Sequence, residues 1–470
     1  MGGVGGRISE PSASALAWAF RTFGHAELPD LRLNKRLVGF AAACASRPSC
    51  SIPQACAAWP HTKGAYRFLE NNRVSSDALI EAAGMGAARS CSGLDRILAV
   101  QDTSTISFSG RPGTAGLGPV NDHGGALGIF VHSTLALYEN GRPLGLLHQH
   151  MWTRDPQNRG TAAHRRKRKI KDKESFKWLD GIEHAHERLA QQTSADHRPR
   201  MIHIMDREGD IHEVLQAIIA RGQGCIIRCN ADRRVGDPLG YAHASVRAQP
   251  PLGVSEVDVP RTHDRPARRA SVEVRSCRMN IKSPRSGRKP VELTLLEIWE
   301  PHPPQGEEPL HWLLWTTEPA DTLQAALQVA TYYTYRWRIE DMHLVLKSGC
   351  GVEKLQLETA ERLMKALAIY SSVAVRIVAL RDSARRNPEA PCTEVMEPTE
   401  WRALWTVINK HAPAPEQQPP TLRQAVLWIG QLGGHLNRKQ DGMPGVKTLW
   451  RGWLQLQTAV EMFVILRPSG

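Results

Sequence analysis

The sequence of 470 residues is long enough to bury a sizeable core and to form about two to four domains. Its formal net charge of +13 favours a polyanionic partner, with nucleic acid ahead of an acidic membrane. The nine cysteines contain no CxxC pair, which excludes a zinc finger and a disulfide framework and predicts free thiols in a reducing, cytoplasmic compartment. No stretch is predicted to span a membrane, and the N-terminus lacks a signal-peptide pattern.

The first 90 residues predict helices. Residues 15–23 and 31–45 are amphipathic, and the second segment places Arg32, Lys35 and Arg36 close together on one face. A small helical unit with a cationic face suits docking into a DNA groove. A plain helical bundle explains the same pattern.

The pattern then changes to short apolar runs of the strand type. Residues 96–101 predict a strand with Asp102 at its end, and residues 126–137 and 143–149 predict two more strands, antiparallel to the first. A later strand is predicted to end at Asp206. An Asp after a strand is most often a turn residue or a cap, but strand ends are also where loops and ligands meet.

Beyond Asp206 the chain alternates between helix and strand patterns. Asp210 and Glu213 form a capping-box pattern that predicts the start of a helix in DIHEVLQAIIARG. Residues 225–229 predict the next strand. Strands that alternate with helices are typical of an α/β fold.

Two segments are rich in arginine and lysine. The run RRKRKIKDK at 165–173 predicts either a solvated loop or, in a DNA-handling protein, a salt-sensitive phosphate contact. Residues 231–312 alternate between strand patterns and Pro-, Gly- and Arg-rich turns, which predicts a β-rich insertion with a basic surface. LHWLLWT then predicts a strand that returns to the main fold, and Trp312 within it fits a core position.

Residues 331–347 (TYYTYRWRIEDMHLVLK) predict a helix, because they contain neither Pro nor Gly. Arg336, Glu340 and Lys347 follow Tyr333 by three, seven and fourteen residues, so all four fall within an arc of roughly 60° on one helix face. One carboxylate among cations suits a metal ion held against a phosphate backbone. A solvated face with ordinary ion pairs explains the same spacing.

Asp102, Asp206 and Glu340 are predicted to converge. Three carboxylates can hold two divalent cations roughly 4 Å apart and leave positions for water and phosphate, which suits in-line displacement at phosphorus. A zinc site is less well supported, because there is no HExxH motif, and His148 and His150, which could chelate a metal, lack an evident third ligand. Nothing in the sequence resembles a phosphate-binding loop for ATP.

Segments along nearly the whole chain carry one family pattern. They are VQDTSTIS, LLHQHMW, KESFKWL, MDREGDIHEVLQ, RPARRASVEVRS, WLLWTTEP and YTYRWRIEDMHLVLKSGCG, with GAYRF towards the N-terminus and LWRGWLQLQ towards the C-terminus. On these segments the chain resembles the cut-and-paste DDE transposases of bacterial insertion sequences, and among them the Tn-five transposase type. The Tyr–Arg–Glu–Lys signature, joined to both Asp motifs in order, is highly specific.

The resemblance implies an α/β fold with an RNase H-like catalytic core. A β-rich insertion at about 231–312 would interrupt this core. Residues 1–72 would form a helical domain that recognises DNA ends, residues 73–385 the catalytic domain, and residues 386–470 a helical dimerisation domain. The implied partners are double-stranded transposon ends and target DNA, with a homodimer in the synaptic complex and no membrane.

The resemblance also implies roles for individual residues in DNA nicking, hairpin formation and strand transfer. Asp102, Asp206 and Glu340 would bind two divalent metal ions, Mg²⁺ or alternatively Mn²⁺, and would be catalytic. DNA contacts would come from Tyr333, Arg336 and Lys347 at phosphates beside the cleavage site, from Trp312 on a flipped-out base, from Arg228 near the transposon end and from Arg36 in the end-recognition helices.

Two positions depart from the family pattern, because Asn230 and Leu344 stand where basic residues are expected. Both changes would alter how DNA is held or which end sequence is read. Two other functions stay open at this point. One is a catalytically inactive regulator that occupies the element ends, and the other is a metal-dependent nuclease of the same fold without strand transfer.

Overall fold

The computed structural model describes ten stretches of the chain. These are residues 13–48, 51–56, 58–110, 113–121, 125–155, 169–259, 267–283, 289–396, 398–438 and 441–466. The part of the basic run at 165–168 and the arginines at 261–266 and 284–288 lie outside the described residues.

The N-terminal region is helical, as predicted. Its helices are α1 (Ala13–Phe23), α2 (Leu31–Ser46), α3 (Ile52–Cys56), α4 (Trp59–Glu70) and α5 (Ser76–Cys91). Asp30 caps α2, where its carboxylate accepts a hydrogen bond from the Arg32 backbone N–H at 2.8 Å. Ser75 caps α5 in the same way through the Ala78 N–H at 3.1 Å. Each cap satisfies a backbone donor that the helix itself leaves unpaired.

Ten strands form one mixed sheet within the described residues. They are β1 (Arg96–Ser107), β2 (Gly118–Pro119), β3 (Leu127–Leu137), β4 (Pro143–Trp152), β5 (Arg200–Met205), β6 (Gly224–Arg228), β7 (Gly253–Val259), β8 (Arg268–Ile281), β9 (Val291–Trp299) and β10 (His311–Thr316). The order is β2-β3-β1-β5-β6-β10-β9-β8-β7, with β4 on β3. Only the β1–β5 and β5–β6 pairs are parallel.

Asp102 lies inside β1 and not at the end of a strand, so this part of the prediction was wrong. Strand β1 continues to Ser107 because β3 pairs with it in antiparallel register that far. The parallel pairing with β5, however, ends at Val100. Asp102 therefore lies just beyond the last β5 contact, and Asp206 directly follows β5.

Helices cover both faces of the sheet. Helix α6 (Phe176–Gln192) and α7 (His212–Ala220) lie on one face, while α9 (Leu323–Thr334), α10 (Trp337–Leu344) and α11 (Ala360–Arg386) lie on the other. Ile97 and Ala99 pack with α6, whereas Leu98 and Val100 pack with α10 and α11. This alternation follows from the two-residue period of a strand, and it sends Asp102 to the α10 side.

The capping box predicted at the start of α7 is absent. Helix α7 begins after Ile211, and no side chain caps it. The Asp210 carboxylate instead accepts hydrogen bonds from the Asn230 N–H at 2.8 Å and from Arg233 Nε at 2.9 Å. A buried carboxylate gains more from a charged partner than from a helix end, and tertiary contact overrides the local pattern.

The strands of the predicted insertion extend the main sheet. Helix α8 (Ala242–Arg247) precedes β7, and β10 pairs antiparallel with β6, so the strand that contains Trp312 returns to the main fold as predicted. The basic surface is smaller than the composition indicated. The Arg268 side chain is 11% exposed and forms hydrogen bonds to Glu300 at 2.8 Å and to Glu307 at 2.9 Å, which neutralises its charge.

Residues 331–347 form two helices and a wider turn, and not the single helix predicted. Helix α9 ends at Thr334, α10 begins at Trp337, and residues Val345–Gly349 form a π-helical turn. At the junction the N–H groups of Tyr335 and Arg336 bond three residues back, to Tyr332 and Tyr333. The tightened turn and the π turn change the angular spacing of side chains, so a uniform 100° step does not describe this segment.

Helix α11 is long and apolar enough by itself to cross a membrane, contrary to the prediction that no stretch qualifies. However, 76% of its most apolar window is buried inside the protein, as expected of a core helix. The helices α12 (Pro398–Asn409), α13 (Leu422–Leu432) and α14 (Val446–Leu466) follow. Trp450 and Trp453 of α14 are buried within this chain, where they pack in its hydrophobic core.

Candidate active site

Asp102 and Asp206 are brought together by parallel neighbours in the sheet. The carboxyl ends of β1's parallel segment and of β5 meet at one edge, which is where ligands bind in sheets of this type. The Asp206 carboxylate accepts a hydrogen bond from the Glu208 N–H at 2.9 Å and so caps a short 3-10 turn. This bond fixes Asp206 beside the end of β5 but leaves its second oxygen available.

Burial raises the pKa of Asp102 to about 7. The negative charges of Asp206 and Glu340 act in the same direction, while the Thr103 backbone and the Arg336 cation oppose them. Burial likewise raises the pKa of Asp206, with Arg336 and Lys177 opposing. The three carboxylates therefore lie close enough for their charges to interact, although Asp102, Asp206 and Glu340 are far apart in sequence.

Helix α10 supplies Glu340 together with a cation. Arg336 Nη2 donates to Glu340 Oε1 at 2.6 Å, and the Arg336 side chain is 12% exposed whereas that of Glu340 is 38% exposed. Burial opposes the charged form of Arg336, but Tyr333, Glu340 and Asp102 together raise its pKa. A guanidinium held among three carboxylates lowers their mutual repulsion.

The carboxylate set fits divalent cations. Asp102, Asp206 and Glu340 offer three hard oxygen donors with Arg336 as the neighbouring guanidinium, so excess negative charge remains for a hard cation such as Mg²⁺ or Mn²⁺ to neutralise. Burial is the largest cause of the raised pKa of Asp102, and the charges of Asp206 and Glu340 add to it. Within the described ranges the three carboxylates are not part of any set whose ligand atoms all lie within 4.8 Å of one another.

Three family models match successive parts of the chain. A transposase DNA-binding model matches residues 15–74, a transposase DDE domain model matches residues 122–375, and a transposase Tn5 dimerisation domain model matches residues 372–467. The DDE model alone covers more than half of the 470 residues. The chain belongs to the DDE transposases of the Tn5 type.

A solved structure of another transposase is also similar to this one over most of its length. It is a cryo-EM structure of the piggyBac transposase synaptic complex with hairpin DNA, with 8% sequence identity and a TM-score of 0.36. The match covers 98% of this chain and 85% of that chain. At this TM-score and identity the similarity informs neither the fold nor the site of the present transposase.

The transposase places Trp312 and Tyr333 next to each other. Their ring centroids lie 5.5 Å apart in an edge-to-face arrangement, with Tyr333 buried and Trp312 half-buried. Tyr333 also lies within electrostatic reach of Arg336. The Trp312 indole is therefore packed against Tyr333, and part of its side chain remains exposed.

Lys347 lies near the Glu340 helix, and Arg228 lies near Trp312. Lys347 lies in the π-helical turn, half-buried, where its charge lowers the pKa of His343. Arg228 ends β6 and donates from Nη2 to the His311 carbonyl at 3.0 Å, one residue before Trp312. Arg36 lies elsewhere, exposed on α2, with its guanidinium packed over Gly64 of α4.

Two residues near the site were not identified from the sequence. His343 Nδ1 lies 3.7 Å from Asp102 Oδ2, and burial lowers the pKa of His343 to about 3, which keeps the ring neutral. Lys177 on α6 is buried between Trp152 and Trp178 and bonds Glu208 at 3.1 Å, close to Asp206. His343 lies three residues after Glu340, one turn along α10, and this spacing was the available signal.

Proposed function

We propose that this transposase excises and inserts a bacterial insertion sequence by metal-dependent DNA nicking, hairpin formation and strand transfer at Asp102, Asp206 and Glu340. The observation that carries the proposal is the placement of Asp102 and Asp206 at one edge of the sheet, with Arg336 bonded to Glu340 and close enough to Asp102 for their charges to interact. A buried carboxyl whose pKa is raised mainly by burial, and further by two neighbouring carboxylates, is a functional-site signature.

Two divalent ions, Mg²⁺ or alternatively Mn²⁺, would be held by the three carboxylates. When bound, such ions lower the pKa of an attacking water or terminal hydroxyl and stabilise the leaving oxygen of an in-line displacement. Asp102 contributes a deprotonated ligand from the rigid strand β1. Asp206 and Glu340 complete the set, and Arg336 restricts Glu340 to one orientation through their 2.6 Å hydrogen bond.

The cations and aromatics around the carboxylates would hold the DNA. Tyr333, Arg336 and Lys347 offer a hydroxyl and two positive charges for phosphates beside the cut. Trp312 offers a half-exposed indole face for a flipped-out base, and stacking of that kind contributes about 1–3 kcal/mol. Arg228 would contact the transposon end, and Arg36 on α2 would contribute to end recognition.

The three matched segments support a three-part molecule. Residues 1–72 would bind transposon ends, residues 73–385 would form an RNase H-like catalytic domain with a β-rich insertion at about 231–312, and residues 386–470 would dimerise. A homodimer would then pair two transposon ends before insertion into target DNA. The DNA partner and the net charge of +13 favour a cytoplasmic, nucleoid-associated protein.

The test is a cleavage assay on a labelled duplex that carries the element's own terminal repeats, with and without Mg²⁺. We expect a Mg²⁺-dependent nick at the element boundary, followed by a hairpin. Glu340→Ala should bind the duplex normally and leave it uncut, whereas Glu389→Ala, which removes an exposed carboxylate after α11, should cut normally. Loss of duplex binding by Glu340→Ala would give Glu340 a structural role, and binding without cleavage by the parent protein in Mg²⁺ and Mn²⁺ would identify an inactive end-binding regulator.

A further inference from the structure

Three imidazoles surround one carboxylate between β4 and α6. Asp180 Oδ2 lies 2.8 Å from His148 Nε2 and 3.2 Å from His150 Nδ1, and Asp180 Oδ1 lies 3.3 Å from His184 Nδ1. The ligand atoms of His148, Asp180 and His184 all lie within 4.8 Å of one another. The sequence showed no third ligand for His148 and His150. Helix α6 supplies Asp180 and His184, which lie four residues apart on one helix face.

This His/Asp cluster is separate from the transposase carboxylates. Asp102 pairs with Ser133, and Ser133 pairs with Gln149, so these three residues share one face of the sheet. His148 and His150 flank Gln149 and therefore point to the opposite face, which α6 covers. Asp102 and the helix that contains Glu340 therefore lie on one side of the sheet, and the His/Asp cluster lies on the other.

We propose that His148, Asp180 and His184 bind one divalent transition-metal ion of the Zn²⁺ class, and that His150, which contacts Asp180 at 3.2 Å but lies outside the set within 4.8 Å, closes on the ion as the fourth ligand. Metal–ligand bonds of about 2.0–2.2 Å in a tetrahedral site put neighbouring ligand atoms about 3.3–3.5 Å apart. The separations of Asp180 from His150 and His184, at 3.2 and 3.3 Å, approach that spacing, whereas the 2.8 Å separation from His148 is that of a hydrogen bond and lengthens when the ion replaces the proton. Imidazole with one carboxylate suits Zn²⁺ and its first-row neighbours, whereas Mg²⁺ prefers a set of oxygens alone.

Arg188 holds the ring of His148 in the metal-free cluster. It donates to His148 Nδ1 at 2.9 Å, so His148 Nε2 carries the ring proton that points at Asp180. An ion at Nε2 displaces that proton, and a neutral metal-bound ring then carries its proton on Nδ1. Because two donors cannot bond each other, Arg188 has to turn away from Nδ1, and it keeps Glu81 and the Leu147 carbonyl as its partners.

Metal binding also requires a movement of His184. The rings of His148 and His184 are stacked, with centroids 4.3 Å apart and an angle of 9° between planes. A nitrogen lone pair lies in the plane of its ring, so two parallel rings cannot both aim at one ion. His184 is partly exposed and turns out of the stack, while His148 stays in place. The bound ion would then join α6 to β4, two strands from Asp102.

The test uses full-length, untagged protein that has been stripped with a chelator. It is titrated with Zn²⁺ against a chromophoric indicator, in excess Mg²⁺ to occupy the carboxylate site. We expect about one Zn²⁺ per chain, a higher thermal unfolding midpoint with Zn²⁺, and at least about tenfold weaker binding in His184→Ala. Co²⁺ in place of Zn²⁺ should give the intense visible absorption of a tetrahedral site.

Four variants decide the outcome. His197→Ala removes an exposed histidine outside the cluster and should leave Zn²⁺ binding unchanged, and Asp102→Asn should also leave it unchanged. Asp180→Asn should abolish binding, and His184→Ala, whose ring is partly exposed, gives the same answer if Asp180→Asn does not fold. Absence of bound Zn²⁺, equal loss in His197→Ala, or loss in Asp102→Asn with full retention in His184→Ala would each overturn the proposal.

Discussion

Asp102 is the residue whose surroundings most disfavour the ionised form that a metal ligand requires. Burial and two neighbouring carboxylates all favour its protonated form, and they raise its pKa to about 7. A cation removes this opposition, since it binds the ionised carboxylate and neutralises the neighbours at the same time. The ionised Asp102 carboxylate is unfavourable without a cation, and a bound cation would therefore stabilise it.

The metal-free protein should lose stability as the pH rises from about 4 to about 7. In that window the unfolded chain has an ionised Asp102, with a pKa near 3.9, while the folded chain keeps the proton, so the folded state binds more protons and rising pH favours unfolding. Relative to Asp102→Asn, the free energy of unfolding should fall by a few kcal/mol, at about 1.4 kcal/mol per pH unit at most. Urea denaturation in EDTA measures the free energy of unfolding of both proteins at each pH. If the two plots of this free energy against pH were parallel, the pKa of Asp102 would be the same in the folded and unfolded chains.

Trp312 should matter more for hairpin formation than for the first nick. Its half-exposed indole is the surface on which we place a flipped base, and the nick itself needs no flipping. Trp312→Ala should slow hairpin formation by about 5- to 100-fold, from a stacking energy of about 1–3 kcal/mol, and change nicking little. A time course of nicked and hairpin products measures both steps.

Trp312→Phe is the matched control, because it keeps an aromatic ring against Tyr333. The centroids of the Trp312 and Tyr333 rings lie 5.5 Å apart. Trp312→Phe should recover most of the hairpin rate. If Trp312→Ala slowed both steps equally, the tryptophan would be a packing partner of Tyr333, with no role in base stacking.

At the scale of elements, the segment that contains Glu340 shows how tertiary contacts reshape a helical pattern. The sequence predicted one helix, and the structure has α9, a tight junction at Tyr335 and Arg336, α10 and a π-helical turn. The junction lets Tyr333 pack into the core beside Trp312 while Arg336 turns to Glu340. Breaks of this type are frequent at functional sites.

The loop after β6 should depend strongly on Asp210. Its side chain is fully buried and bonds Arg233 and the Asn230 backbone, so Asp210→Ala leaves a largely buried guanidinium without its anion. We expect the free energy of unfolding to fall by about 3–5 kcal/mol. Asp258→Ala, which removes a 90% exposed carboxylate on β7, should change it by less than about 0.5 kcal/mol. Similar values for the two variants in urea denaturation would contradict a structural role for Asp210.

At the scale of the whole molecule, one continuous sheet connects the regions that the sequence presents as separate. Strand β10 returns from the β-rich segment to β6 and carries Trp312 to the face where α9 holds Tyr333. Strands β1 and β5 deliver the two aspartates, and α10 delivers the glutamate. The candidate site is thus assembled from β1, β5, β10 and α10, which are distant in sequence. The pairing of the strands in one sheet brings these segments together.

DNA binding by the whole molecule should fall steeply with salt. The net charge of +13 and the transposase DNA-binding segment at residues 15–74 predict that phosphate contacts supply much of the affinity. A plot of log K against log salt should be linear, with a slope of about −0.9 for each neutralised phosphate, and Arg36→Ala should reduce the slope by about one such unit. Electrophoretic mobility shifts at several salt concentrations measure this slope.

The control for this measurement is Lys447→Ala, an exposed cation at the start of α14, which should leave the slope unchanged. An affinity that stays flat between low and moderate salt would contradict a phosphate-dominated interface. A slope that drops equally in both variants would show that Arg36 contributes only to the overall charge.

The sequence by itself determined the family, the helical N-terminal region, the antiparallel strands around Asp102 and the return of the Trp312 strand, because these depend on local periodicity and on motifs. Tertiary structure alone decided that β1 continues past Asp102, that Asp210 bonds Arg233 instead of capping α7, and that the segment containing Glu340 breaks at Arg336. It also decided the proximity of His343 to Asp102 and of α6 to His148. The physical reason is that hydrogen-bond partners, burial and charge neighbours come from residues far away in the chain, and local patterns carry no information about them.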